Sequence, residues 1–186
     1  MSRAYTLQLI EALSPYNYDE ARNRFLTAGF IKNTPAAFER VHEHGGHVTG
    51  SAMVSNMDGT RVLLNKHGLV GSYMNFGGHA DGDEDVFAVS KRELEEEAGI
   101  TNADCSGNIF DIDVHFIAPH LRKGEHVPGH IHYDICWLYR VPDDVKWLIS
   151  NESTDIRWFT LEEATNLPQL DAQMVRLYTK IAAGIR

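Results

Sequence analysis

Cysteine is scarce in this chain of 186 residues: Cys105 and Cys136 are the whole complement. Two thiols cannot build the disulfide framework of a small secreted domain, which points to a reducing compartment. Long apolar runs are missing too. Residues 1–18 carry Glu11 and no hydrophobic stretch of spanning length, so neither a signal peptide nor a membrane span is expected. Basic residues are outnumbered, with 17 Lys and Arg against 26 Asp and Glu, for a formal charge of −9. No basic stripe offsets that charge, which argues against a nucleic-acid polymer as the main partner. Repeats and low-complexity tracts are absent. What is there is an ordinary 43% of apolar residues, enough for one domain with a sizeable core and a helical extension. A cytoplasmic protein is expected.

Residues 3–44 read as helical. Leu7, Ile10 and Leu13 suggest one short helix, ended by Ser14-Pro15. A second is expected over Asp19–Ala28, stopped by Gly29. A third is expected from Thr34, an N-cap ahead of Pro35, to about Glu43. Gly45-Gly46 marks the expected boundary between an N-terminal helical extension, residues 1–44, and the main domain, residues 45–186. The extension reads as a packing element or the surface of a homodimer. From His47 the composition turns β-rich with period two. Strands are expected over His47–Ser55 and Arg61–Asn65, a loop over Gly68–Gly78, and strands over Ile109–Ile117, His130–Val141 and Asp155–Phe159. Helices at Leu161–Asn166 and Asp171–Ala183 close the chain. Strands mixed with helices on both sides imply an α/β fold, an α/β/α sandwich with a mixed sheet.

The densest chemistry lies between Arg92 and Glu97. Placed on a helix over residues 84–98, at about 100° per residue, Phe87, Leu94 and Ala98 form a buried stripe. Glu93, Glu96 and Glu97 fall on an adjacent arc at i, i+3 and i+4, whereas Glu95 falls on the other flank. Arg92 stands four residues before Glu96, within reach to orient its carboxylate. Three carboxylates on one arc suit a hard cation, Mg²⁺ or Mn²⁺, although such runs are also simply solvated faces.

The stretch from Gly78 to Ile100 reads Gly-x5-Glu-x7-Arg-Glu-apolar-x-Glu-Glu-x-Gly-apolar. Every specified position matches the Nudix box, and the chain resembles the Nudix hydrolase (MutT-like) family. The resemblance implies a Nudix-type α/β/α sandwich. It also implies a divalent-metal-dependent pyrophosphohydrolase that opens a nucleoside diphosphate linked to another group. Glu93 and Glu97 would be the principal metal ligands, with the carbonyl of Gly77. Glu96 would hold a further ion or act as base. Glu84 and Arg92 would hold the loop and helix in place. Some members take their base from a late loop, where this chain has Glu152. The alternatives are an enzyme of the isopentenyl-diphosphate isomerase type, which uses His with Glu ligands, and a non-catalytic nucleotide-binding Nudix domain. An intact box speaks against both. Subgroup signatures are missing: the positions of the ADP-ribose proline hold His115 and Phe116, and Ile117 stands near that of the diadenosine polyphosphate tyrosine.

A second constellation lies on two strands. Asp111, Asp113 and His115 alternate along one, and His130, His132 and Asp134 along the next, so each trio shares a face. If the strands pair antiparallel, the two trios meet, with His79 and His47 able to approach. Imidazole with carboxylate suits a second metal or a substrate phosphate; it equally suits the polar side of a sheet along a cleft.

Overall fold

Paired main-chain hydrogen bonds gather seven strands into one mixed sheet in this computed structural model, which describes residues 2–40, 44–68, 71–122, 124–151 and 153–185. The strands are β1 (Gly46–Asn56), β2 (Arg61–His67), β3 (Tyr73–Met74), β4 (Phe76–His79), β5 (Asp111–Ile117), β8 (His130–Val141) and β9 (Ser153–Thr160). Their order is β3-β2-β1-β8-β5, with β4 joined to β1 and β9 to β2. β1 and β8 run parallel in register from Gly46↔Ile131 to Asn56↔Val141, whereas the other pairs are antiparallel. β6 (His120–Arg122) and β7 (Glu125–Val127) form a separate hairpin.

Helices cover both faces. α1 (Arg3–Ala12), α2 (Tyr18–Asn33) and α3 (Val86–Ala98) lie to one side; α4 (Leu161–Thr165) and α5 (Ala172–Ala182) lie on the other. Alternation along the strands sorts the core. Val48, Ala52, Ile135 and Trp137 pack with Val89 and Leu94 of α3. Met53, Cys136 and Leu138 pack with Met174 and Leu177 of α5. Among the described residues no helix is long and apolar enough to cross a membrane.

Four expectations change. α2 runs through Gly29 to Asn33, because Ile31 is buried and Phe30 stacks on Tyr133 with ring centroids 4.0 Å apart. That packing outweighs the helix penalty of one glycine, about 1 kcal/mol. The third helix does not form over residues 35–39, which turn instead, and residues 41–43 lie outside the described chain. The carbonyls of Ala37 and Phe38 are taken by the N–H groups of Val48 and Gly82, each at 2.8 Å, so they cannot propagate a helix. The loop expected over Gly68–Gly78 contains β3 and β4, since its backbone finds partners on β2 and β1. The helix expected from residue 84 starts at Val86, capped by Asp85, whose carboxylate accepts from the Ala88 N–H at 3.1 Å.

The N-terminal helices are bound to the rest of the chain by buried charge. Lys180 of α5 reaches Glu20 of α2 at 2.6 Å and Asp111 of β5 at 3.3 Å. Arg176, one turn earlier, grips both oxygens of Asp111 at 2.8 and 2.7 Å and also Asp113 at 3.0 Å. Asn23 of α2 donates to Asp113 at 3.0 Å and to the Ile112 carbonyl at 3.4 Å. Side chains from α2 and α5 thereby close the outer edge of β5.

Candidate active site

Three glycines bring α3 close to the sheet. Gly77 and Gly78 of β4 lie opposite Ser51 and Gly50 of β1. A Cβ on Gly50 would come within 2.9 Å of the Val86 carbonyl oxygen, and one on Gly77 within 2.7 Å of the Ser51 side chain. One on Gly78 would collide with the carboxylate of Glu93. Bare backbone is therefore required where the helix carboxylates approach. Glu97 is buried, and its Oε2 accepts a hydrogen bond from the Gly77 N–H at 3.2 Å. Arg92 Nη2 donates to Glu93 Oε1 at 3.0 Å and to the His79 carbonyl at 3.1 Å, tying helix to strand. Glu96 stands at the rim with its side chain 62% exposed and Oε1 3.8 Å from Arg92 Nε. Two of the three expected carboxylates thus converge on β4, and the third faces water beside them. Glu95 is exposed, as the helical spacing predicts.

Glu84 precedes the helix and is held from the N-terminal side. Its carboxylate accepts from the Arg3 backbone N–H at 2.9 Å and from Arg3 Nε at 3.1 Å. Thr6 donates to its carbonyl at 2.7 Å. Glu84 anchors the loop to α1. Glu152 lies outside the described residues.

The donors fit a hard divalent cation. Glu93 and Glu97 offer carboxylate oxygens from a capped helix, and the Gly77 peptide is already drawn to one of them. Such oxygen donors suit Mg²⁺ or Mn²⁺. A NUDIX domain model matches residues 46–181, from the start of β1 into α5. The chain belongs to the Nudix family. Nudix hydrolases act on phosphorus anhydrides, and the fold agrees with solved members. A C. elegans Ap4A hydrolase binary complex is similar with a TM-score of 0.56 at 21% identity, covering 74% of this chain and 96% of that one. The E. coli dihydroneopterin triphosphate pyrophosphohydrolase is similar at TM-score 0.57 and 16% identity, over 73% and 95%. A MutT protein from Methanosarcina mazei Go1 follows at 0.51 and 18%, over 77% and 98%. No curated protein matches the sequence. At these identities the shared property is the fold.

The second constellation sits on the opposite face of the sheet from the Nudix helix, and the structure divides it. β5 and β8 do pair antiparallel, with Asp113 opposite Asp134 and His115 opposite His132. Both aspartates are hydrogen-bonded within the fold. Asp134 is buried and accepts from Thr49 at 2.8 Å, Ser51 at 2.6 Å and Gln173 at 2.9 Å. Burial pushes its carboxyl up against those hydrogen bonds. For Asp113, burial works against the charge, but bonds from His115 and Arg176 hold it below the usual carboxylate range. The histidines gather. His47, His79, His130 and His132 have ring centroids 4.8–5.1 Å apart in the contacts that link them. Burial, with the neighbouring imidazoles, pushes His132 down to about 2, so its ring is neutral. Thr49, Ser51, Gln173 and Arg176 carried no sequence signal, because each meets its partner across at least 63 residues or, for Gln173, 39.

Proposed function

We propose that this chain hydrolyses the diphosphate bond of a nucleoside diphosphate linked to another group, in a reaction that depends on Mg²⁺ or Mn²⁺. The observation that carries this reading is the meeting of Glu93 and Glu97 at the bare backbone of Gly77 and Gly78. Glu93, Glu97 and the Gly77 carbonyl would hold the ion, with Glu96 beside them for a further one. A divalent metal there would lower the pKa of a water and offset the charge that grows on the diphosphate. Arg92 orients Glu93 against β4, and Glu84 keeps the preceding loop on α1. Glu96 and Glu152 are the two candidates to take the proton from the attacking water.

A complete box favours hydrolysis over an isomerase or a binding module. The substrate is a small diphosphate ester in the cytoplasm. Its leaving group is not selected by likeness to an Ap4A hydrolase or a dihydroneopterin triphosphate pyrophosphohydrolase, at 21% and 16% identity. A screen of nucleoside diphosphate derivatives with Mg²⁺ and with Mn²⁺, read as phosphate release after phosphatase coupling, tests the proposal. Turnover that vanishes with chelator supports it; no turnover of any derivative with either metal overturns it.

A further inference from the structure

The geometry points to a transition-metal site made of imidazoles, with His47 of β1 and His130 and His132 of β8 as ligands. This site is separate from the box carboxylates and goes beyond the hydrolytic reading.

Register brings the rings together. His47 pairs with His132 across the parallel β1 and β8, and His130 lies two residues before it on the same face. On the other side of β1, His79 is opposite Thr49, two residues along from His47 and again on that face. Gly78 points to the other face, toward Glu93. The sheet itself therefore separates the histidines from the carboxylates.

The spacing is that of ligands around one ion. Ligand atoms of His47, His130 and His132 all lie within 4.8 Å of one another, and they are the one such group among the described residues. His130 Nε2 and His132 Nε2 are 3.1 Å apart. Two nitrogens bound tetrahedrally at the usual Zn–N distance stand about 3.3 Å apart. The rings of His79 and His47 are 4.8 Å apart, so a further imidazole borders the group.

The outer contacts are those of metal-bound histidine. His130 Nδ1 lies 2.9 Å from the Pro128 carbonyl oxygen. A carbonyl only accepts, so Nδ1 carries the hydrogen and Nε2, in the neutral ring, presents its lone pair to His132. A ligating imidazole characteristically donates its other N–H to a carbonyl or carboxylate in this way. Next to the group, His115 Nδ1 meets Asp113 at 3.0 Å, and Arg176 holds Asp113 in turn. Burial completes the case. His47 is 1% exposed and His130 4%. Such burial keeps bulk water from competing for an ion held by these rings. Nitrogen donors select Zn²⁺ or a neighbouring borderline ion over Mg²⁺, which the box carboxylates suit.

The test uses the full chain without a histidine tag. It is purified without added metal, passed through gel filtration and analysed for metals; the stripped protein is then titrated with Co²⁺ and with Zn²⁺. One equivalent of a transition metal, or stoichiometric Co²⁺ uptake with tetrahedral visible bands that Zn²⁺ displaces, is expected. Losing an outer-shell partner typically weakens such sites about 10–100-fold, so His132→Gln, which removes a ligand from a half-buried position, should weaken uptake by at least that. Glu97→Gln should leave the Co²⁺ bands unchanged. Absence of saturable Co²⁺ and Zn²⁺ uptake by the wild-type chain overturns the site whatever the variants do. Bands lost in Glu97→Gln and kept in His132→Gln overturn it equally, assigning the ion to the box. Failure of nucleotide hydrolysis alone leaves this result unaffected, since metal content is read directly.

Discussion

The carboxylate of Glu93 occupies the space that a side chain on residue 78 would need. Gly78→Ala should therefore push Glu93 off β4 while the strand, whose φ there is ordinary, keeps its pairing. Small misplacements of a reacting constellation can cost about 10²-fold in rate. A loss of that order in kcat/KM, with unchanged far-UV circular dichroism, is the expected outcome; wild-type turnover would show that Glu93 need not sit there.

Glu97→Gln keeps size and hydrogen bonding but removes the buried charge. Hydrolysis at saturating Mg²⁺ should fall by several orders of magnitude, on the order of several kcal/mol in the barrier. The thermal transition should change little, because the amide can still accept from the Gly77 N–H. Turnover near that of the wild type would remove α3 from the metal site.

Comparison of Glu152→Gln with Glu96→Gln identifies the base. The variant lacking the base should lose about 10²–10⁴ in rate with its Mg²⁺ dependence largely retained. A Glu152→Gln variant indistinguishable from the wild type returns the role to Glu96, which stands exposed at the rim.

Arg176→Met leaves Asp111 buried with Lys180 as its remaining cation. Breaking a buried pair in this way typically costs about 3–5 kcal/mol. The melting temperature should fall by roughly 10 °C for a chain of this size, with catalytic rate at low temperature close to normal. A melting temperature unchanged within error would show that α5 is not secured through this pair.

By itself the sequence determined the elements whose causes are local. Glu93 and Glu97 share a helical arc because they are four residues apart, Gly99 ends α3 at φ +68° where glycine alone is comfortable, and the box offsets identify the family. Period two in His47–Ser55 likewise located β1 without help from the rest of the chain. Tertiary structure decided everything that depends on distant partners. α2 ignores its glycine because Phe30 has Tyr133 to stack on, and no helix follows it because Val48 and Gly82 take the carbonyls it would use. Lys180 could be assigned a buried role only once Glu20, 160 residues away, met it. The same holds for the two trios on β5 and β8, which look alike as text. Asp134 is hydrogen-bonded by Thr49, Ser51 and Gln173, whereas His130 and His132 were joined by His47 through a parallel pairing that no local pattern encodes. Spacing along a helix or strand is set by bond geometry, but the choice of neighbour across a sheet is set by which faces can be buried together.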